Sequence, residues 1–188
     1  MSPILFINPL PANISVFVIE DTTTIDTSIL PKWDDFSQFP GKIIDLIDRY
    51  SIDEIWCVCG PGAFTRMRII TLALNTLKLS RWIQLKGCHF FDLIDTENAA
   101  LKANQREYII RVWHGDPILL WKEDIPSGIY EGYGEKNDFT DPKVFIQYSE
   151  DIQKIETLFR KLPFSESLIP IYLKDPHITW SKKNTSHS

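Results

Sequence analysis

The sequence Gly60-Pro61-Gly62 joins an apolar run to a long helical pattern, and this junction constrains the fold more than any other feature of the chain. Residues 52–59 are almost continuously apolar, which is typical of a strand covered on both faces. Glycine permits backbone angles that a side chain forbids, and proline ends a strand ladder. The sequence therefore predicts a central strand, a tight turn and a helix whose first amides Thr65 is expected to cap.

The helix predicted over residues 64–79 carries two apolar stripes. The first consists of residues three and four positions apart: Met67, Ile70, Leu74 and Leu77. A second stripe beside it contains Ile69, Leu72 and Ala73. Because one stripe suffices for a helix on the surface of a domain, two interpretations stay open. Either the helix is buried all round, or one stripe covers its own sheet and the other contacts a partner.

The run Gly60-Pro61-Gly62-Ala63-Phe64-Thr65-Arg66-Met67-Arg68-Ile69 closely resembles GPGSFTGLRIG, the signature of the TsaB family, also called YeaZ. Members of this family take part in the synthesis of threonylcarbamoyladenosine in bacterial tRNA. Segments 4–8, 109–116 and 170–174 follow in the family's order, and the last is similar to its C-terminal PxYLR. The resemblance runs from end to end. It implies an actin-like ATPase fold of the RNase H-like class, a mixed sheet with flanking helices and a reduced second lobe.

The chain departs from the family pattern at the positions nearest to any chemistry. Ala63 and Arg66 stand where the signature has Ser and Gly, and Asn8-Pro9 stands where the family's first strand ends in Asp-Thr. In the middle segment Arg111-Val112-Trp113 replaces Asp-Ala-Arg. The chain is therefore identified as a divergent member.

Hydrophobic periodicity predicts an α/β protein, because consecutive strands come first and helices and strands then follow one another. Glycines and prolines in residues 123–143 predict a long loop or a poorly regular insertion, and a boundary near Gly87 divides the chain into lobes 1–86 and 87–188. The predicted strands are 4–8, 14–20, 23–30, 52–59, 82–86, 107–113, 118–122 and 144–148. The predicted helices are 42–50, 64–79, 90–101 and 150–162, with an irregular connector over 31–40.

Composition excludes several classes of protein. A net charge of −5 argues against a protein that grips nucleic acid by itself, since such proteins cluster basic residues. Three cysteines do not make a disulfide framework, and no cluster has the spacing of a metal site. No apolar run is long enough to span a membrane and no secretory leader is visible, so a cytoplasmic location is expected.

The sequence predicts that the protein is not itself an enzyme. Actin-like ATPases hold phosphates with backbone amides of the opening hairpin and position Mg²⁺ with an Asp. Pro9 and Pro11 have no amide hydrogen to donate, and Asn8 carries no charge. The Gly60 turn lacks the Lys-Ser/Thr of a P-loop, and Ala63 has no hydroxyl. No catalytic, cofactor or metal residue of its own is therefore expected, although a nucleotide at the interface with a partner stays open.

The TsaB resemblance implies a noncatalytic subunit that pairs with TsaD, the subunit that transfers threonylcarbamoyl to adenosine 37 of tRNA. A TsaE-like ATPase would join the wider complex, and tRNA would be contacted only through it. At the interface with TsaD, Arg66 and Arg68 could contact acidic groups or a nucleotide; the alternative is that both side chains stay solvated. The residues expected at the interface are Ile43, Ile47, Phe64, Arg66, Arg68, Ile69, Leu72 and Ala73. The alternatives are a homodimer through the same helices, a stand-alone nucleotide-binding enzyme of actin-like ancestry, and a diverged paralogue that acts as an interaction module.

Overall fold

The computed structural model describes residues 2–11, 13–30 and 38–172. Within them, two five-stranded sheets are flanked by three α-helices. The strands are β1 (Ile4–Asn8), β2 (Ile14–Glu20), β3 (Thr23–Leu30), β4 (Glu54–Val58), β5 (Gln84–Cys88), β6 (Ala99–Lys102), β7 (Glu107–Arg111), β8 (Ile118–Trp121), β9 (Gly128–Tyr133) and β10 (Lys143–Gln147). The helices are α1 (Gln38–Tyr50), α2 (Phe64–Arg81) and α3 (Ile152–Lys161), with short 3-10 helices at Phe90–Leu93, Lys122–Asp124 and Lys136–Asp138.

The first sheet has the strand order β3-β2-β1-β4-β5. β1, β2 and β3 form an antiparallel meander, and β4 and β5 run parallel to β1. β1 and β4 are central and buried, as the continuous apolar run over residues 52–59 predicts. α1 and α2 cover one face of this sheet with a shared apolar core that includes Ile43, Leu46, Ile70 and Leu74.

The second sheet has the order β10-β9-β6-β7-β8, in which β9 and β10 run parallel to β6 and the other pairs are antiparallel. Its core continues into the other face of the first sheet through α3. Phe6 and Trp56 of the first sheet, Leu101 of the second and Phe159 of α3 belong to one buried cluster. The rings of Trp56 and Phe159 stack with centroids 5.1 Å apart. The two sheets are thus joined by a common core and not by a bare linker.

The carboxylate of Asp138 binds three side chains in or next to the second sheet. Its carboxylate accepts hydrogen bonds from Lys102 at 2.9 Å, Tyr108 at 2.8 Å and Lys122 at 3.2 Å. Burial acts to raise the pKa of Asp138, but the hydrogen bonds from Lys102, Tyr108 and Lys122 outweigh it and lower that pKa to about 2. The carboxylate therefore stays ionised throughout the physiological range.

The predicted α/β fold class is confirmed, because the described residues form two mixed sheets with flanking helices. Two local predictions are wrong. Residues 90–101 contain a 3-10 helix and the start of β6 in place of a long helix, and residues 123–143 contain β9 in place of a loop. A Cβ atom at Gly132 would lie 1.7 Å from the carbonyl oxygen of Ala100, so this glycine permits close pairing of β9 with β6 and does not mark a turn.

Some predictions lie beyond these observations. Residues 31–37 of the predicted connector and residues 173–174 of the closing motif are outside the described residues. Residues 38–40 of that connector belong to α1. The division into lobes 1–86 and 87–188 stays a prediction. Among the described residues no helix is both long and apolar enough to cross a membrane.

Candidate functional site

The Gly60 turn is held by backbone hydrogen bonds on two sides. The carbonyl oxygen of Cys59 accepts from the amide of Ile171 at 2.8 Å, and that of Gly60 accepts from the amide of Phe90 at 2.7 Å. Gly60 has a φ of 132°, and a Cβ atom there would lie 2.5 Å from the carbonyl oxygen of Ile171. Glycine is therefore required at this position both for its backbone angle and for the close approach of the C-terminal segment.

The helix start differs from the prediction. Ala63, and not a hydroxyl residue, occupies the N-cap of α2, and no side chain caps the helix. Thr65 lies inside the first turn with an exposed side chain, so the predicted capping role of Thr65 is wrong. Pro61 and Gly62 complete the turn between β4 and α2, and Pro61 is buried.

Arg66 points inward, onto the opening hairpin. Only 9% of this residue is exposed, and its Nη1 donates hydrogen bonds to the carbonyl oxygens of Pro9 at 2.7 Å and Pro11 at 2.6 Å. Burial lowers the pKa of Arg66 to about 10, which leaves the guanidinium charged at neutral pH. The prediction of Arg66 as an interface residue is therefore corrected, because its charge is already engaged in the chain's own turn.

This arrangement reverses the polarity that a phosphate-binding turn needs. A phosphate is held by amide hydrogens that converge on it, whereas the turn after β1 directs carbonyl oxygens at an internal cation. The amide of Leu10 donates to Oδ1 of Asn8 at 3.2 Å. The opening turn is thus stabilised by contacts within the chain, from Arg66 and Asn8.

A buried polar cluster joins the end of β1 to the second sheet. Nδ2 of Asn8 donates to the hydroxyl of Tyr133 at 2.9 Å and to Oε1 of Glu150 at 3.0 Å. The Tyr133 hydroxyl donates to the same Glu150 oxygen at 2.8 Å. Burial and the neighbouring charge of Glu150 raise the pKa of Tyr133, which keeps its proton. The cluster therefore lies at the end of β1, the middle strand of the first sheet.

Sequence reasoning missed Tyr133 and Glu150. Tyr133 lies in the segment that was predicted to be a loop, and Glu150 precedes α3. Their only sequence signal is indirect: a buried Asn at the end of a central strand requires partners for its amide. That requirement does not identify which residues satisfy it.

The two stripes of α2 have different environments. Met67, Ile70, Leu74 and Leu77 are buried against the first sheet. The second stripe faces outward, with Ile69 37% and Leu72 64% exposed. Leu79, which is 82% exposed, continues it two turns further along the helix. The interpretation of α2 as buried all round is therefore wrong, because one of its apolar stripes is exposed.

The other predicted interface residues divide between the surface and the core. Phe64 is 36% exposed and Arg68 is exposed, while Ala73 is half-buried against the core. Ile43 and Ile47 of α1 are buried at 0% and 6% exposure, because their helical spacing turns them toward the sheet. They are corrected from interface to core.

The third face of α2 is covered by residues 163–172, which we term the C-terminal strap. Asn75 forms two hydrogen bonds with the backbone of Leu168. Nδ2 of Asn75 donates to the carbonyl oxygen of Leu168 at 2.9 Å, and the amide of Leu168 donates to Oδ1 of Asn75 at 2.7 Å. Nζ of Lys78 donates to the carbonyl oxygens of Ser165 at 2.7 Å and Glu166 at 2.8 Å. The polar residues of α2 that resemble a solvent-exposed face in the sequence therefore bind the strap.

The side chains that could act as nucleophiles lie in the core or stabilise local structure. All three cysteines are buried. A hydrogen bond with Cys59 and burial raise the pKa of the Cys57 thiol, and burial raises that of Cys88, so neither is activated as a thiolate. His89 caps the Phe90–Leu93 turn through Nδ1, and burial lowers its pKa. Among the described residues, no three His, Cys, Asp or Glu side chains are grouped to hold a metal ion.

Comparisons with known proteins find matches among solved structures. No protein-family model matches the chain, and neither does any curated protein. YeaZ from Pseudomonas aeruginosa is 17% identical, with a TM-score of 0.65 over 92% of this chain and 100% of YeaZ. An uncharacterized protein with similarity to peptidase YeaZ from Pseudomonas aeruginosa is also 17% identical, with a TM-score of 0.66 over 93% of this chain and 100% of that one. The chain therefore has the fold of these two proteins over their whole lengths.

Proposed function

We propose that the protein is a divergent, TsaB-like, noncatalytic subunit that binds a TsaD-like threonylcarbamoyl transferase through the outward face of α2. In this role it serves the modification of adenosine 37 of tRNA in the cytoplasm, with a TsaE-like ATPase in the wider complex. The observation that carries the proposal is the open stripe of Ile69, Leu72 and Leu79, which lies within and directly after the signature that resembles TsaB. The fold shared with YeaZ supports it.

An exposed apolar stripe on one helix needs a physical reason. α2 already contributes a full apolar face to the core, and Ile69, Leu72 and Leu79 lie outside the three buried clusters. Contiguous exposed apolar surface marks a site of association in soluble proteins. Each Å² of apolar surface removed from water there would stabilise a complex by about 25 cal/mol before the costs of association.

The opening turn supports the noncatalytic assignment. Arg66 is bound to carbonyl oxygens where a phosphate would need amide donors, and Asn8 is bound to Tyr133 and Glu150. A peptidase would require an activated nucleophile. Ala63 has no hydroxyl, and the three thiols are buried.

Two measurements on the purified chain test the proposal. We expect the chain to co-purify with the TsaD-like subunit of its own organism and to hydrolyse no ATP alone. A nucleotide retained through purification, together with ATP turnover that an Asn8→Ala change abolishes, would show a stand-alone enzyme. Failure to bind the TsaD-like subunit and to rescue a strain lacking TsaB, despite good expression, would show a diverged interaction module.

A further inference from the structure

The edge strands of the two described sheets differ in how they are protected from pairing with another chain. Native proteins protect such edges with bulges, short strands, lysines or covering segments. β3 has a bulge in its pairing with Val18 and Ile19, and the strap covers β5, where the amide of Ser165 donates to the carbonyl oxygen of Leu85 at 2.8 Å. β8 has only four residues. The remaining edge is β10 (Lys143–Gln147), and among the described residues no strand pairs with its outer side.

Lys143 is the one charged residue of β10, and its ammonium group is bound within the chain. Nζ donates to the carbonyl oxygens of Lys122 at 3.2 Å and of Glu123 at 3.4 Å. A lysine protects an edge when its charge lies in front of the strand, where an approaching chain would have to bury it. Because the 3-10 helix after β8 holds this ammonium group, Lys143 does not protect the outer side of β10.

An exposed aliphatic patch lies beside this edge. Val144 and Ile146 of β10 are 50% and 48% exposed, and Ile129 of β9, directly opposite Val144 in the ladder, is 58% exposed. The three side chains share one face of the second sheet, because residues two apart on a strand, and residues opposite each other on neighbouring strands, point the same way. Phe145 is buried on the other face, where its ring stacks on that of Phe139 with centroids 4.7 Å apart. Unpaired backbone groups and apolar surface are thus next to each other.

The order of side-chain types along β10 fits a second copy of the same strand. The sequence is polar, aliphatic, aromatic, aliphatic and polar in both directions: Lys143, Val144, Phe145, Ile146, Gln147. An antiparallel pair with its two-fold axis at Phe145 places Val144 opposite Ile146 of the second copy, and Lys143 opposite Gln147 of the second copy. All five residues then have partners and no like charges are opposed. A parallel pair of copies would not close and would leave a further free edge.

We propose that β10 pairs antiparallel with β10 of a second copy of the chain, so that the second sheets of two molecules form one continuous sheet with five strands from each copy. Backbone hydrogen bonds join the two strands, and the aliphatic patches of Ile129, Val144 and Ile146 become one apolar surface across the two-fold axis. Because the ladder is only five residues long, the dimer is weak, with Kd on the order of 100 µM. The proposal is independent of the proposed function, since α2 covers the first sheet and β10 belongs to the second.

The test follows the mass of the full chain by analytical ultracentrifugation from about 5 µM to about 500 µM, a range that brackets the expected Kd. Wild type is expected to change from monomer to dimer over this range, and a chain that stays monomeric throughout would refute the proposal. One variant carries Val144→Lys with Ile146→Lys, and the other carries Val144→Glu with Ile146→Glu. Each alone should stay monomeric, because like charges then face each other across the axis.

An equimolar mixture of the two variants should form dimers again, because each lysine then faces a glutamate. Circular dichroism shows whether each variant is folded, and a mixture of folded variants that stays monomeric would refute the pairing of Val144 with Ile146. A second measurement needs no substitution. In wild type, amides of β10 that point away from β9 should exchange with solvent more slowly at about 500 µM than at about 5 µM, and equal rates would also refute the proposal.

Two matched substitutions distinguish β10 from other surfaces that could join two copies. Ile25→Lys on β3 and Leu72→Lys on α2 each place a lysine at an exposed aliphatic position, 42% and 64% exposed in wild type. Both variants are expected to dimerise within about twofold of the wild-type Kd, because neither residue belongs to the β10 pair. A dimer that is lost with either of them and kept with the β10 lysines would refute the proposal. A monomer whose β10 amides are protected only after the TsaD-like subunit is added would show that a different protein pairs with this edge.

Discussion

The substitution Leu72→Glu distinguishes an interface residue from a core residue on the same helix. Leu72 is 64% exposed in the chain alone. Complete burial of an exposed leucine is worth about 1.5–3 kcal/mol, so the surface that Leu72 still has to bury is worth about 1–2 kcal/mol. Loss of that contact alone, as in Leu72→Ala, would raise Kd about 5- to 30-fold. A glutamate adds the cost of a carboxylate in an apolar contact and should raise Kd at least about 100-fold.

Stability should change little in the same variant. Leucine and glutamate have similar helix propensities, and surface substitutions usually alter the free energy of unfolding by less than about 0.5 kcal/mol. For a chain of this length we expect Tm to shift by about 2 °C or less. Calorimetric titration with the TsaD-like subunit gives Kd, and circular dichroism gives Tm.

Leu74 supplies the matched control, because it is a leucine on α2 with 0% exposure. Leu74→Ala should reduce the free energy of unfolding by about 2–5 kcal/mol, since it leaves a cavity in the core. At a temperature where Leu74→Ala is folded, its affinity for the partner should stay close to that of wild type. If Leu72→Glu unfolds the protein, or binds the partner as wild type does, our assignment of the two stripes is refuted.

Three further predictions concern the contacts that hold the rest of the molecule. Arg66→Met removes the charged hydrogen bonds to the opening turn and should cost about 2–4 kcal/mol, seen as a fall in Tm of about 5–15 °C; an unchanged Tm would contradict it. Asn75→Ala should release the strap, so the Leu168 amide exchanges with solvent faster while amides of β1 do not. The pKa of Asp138 is lowered to about 2 in the folded chain, below its value of about 3.9 in unfolded chains. Asp138 therefore stabilises the fold fully above pH about 3.9, and this stabilisation is lost as pH falls toward 2. In Asp138→Asn, Tm measured as a function of pH should fall less than that of wild type as the pH is lowered toward about 2.

The order of the elements was predictable because most segments have a clear period. Residues 4–8 and 52–59 are apolar runs that central strands require, and both lie at the centre of the first sheet. The prediction for residues 123–143 was wrong because a high density of glycine and proline is typical of loops. Gly132 is a strand residue whose missing side chain allows β6 to approach, and that reason appears only when the neighbouring strand is known.

The two stripes of α2 could be identified from sequence, but their environments could not. Both consist of apolar residues, and periodicity carries no information about which one faces a sheet. The same limit applies to Asn75 and Lys78, which resemble solvent-exposed residues. Their partners Leu168 and Ser165 lie 93 and 87 residues further along the chain.

Arg66 illustrates how a departure from a family pattern can be misread. An arginine next to a signature turn suggests an exposed charge for a partner or a nucleotide. Its actual partners are carbonyl oxygens of Pro9 and Pro11, which lack amide hydrogens of their own. The prolines and the arginine therefore act together, and only their contact in the fold shows it.

The most direct test of the proposed role is hydroxyl-radical footprinting of the wild-type chain, alone and with its TsaD-like subunit. We expect the partner to protect the side chains of Leu72 and Leu79 on α2. Val144 and Ile146 on β10, which are 50% and 48% exposed, should be oxidised equally in both samples. Protection of the β10 side chains with no change on α2 would refute the assignment of the outward stripe of α2 as the partner-binding surface.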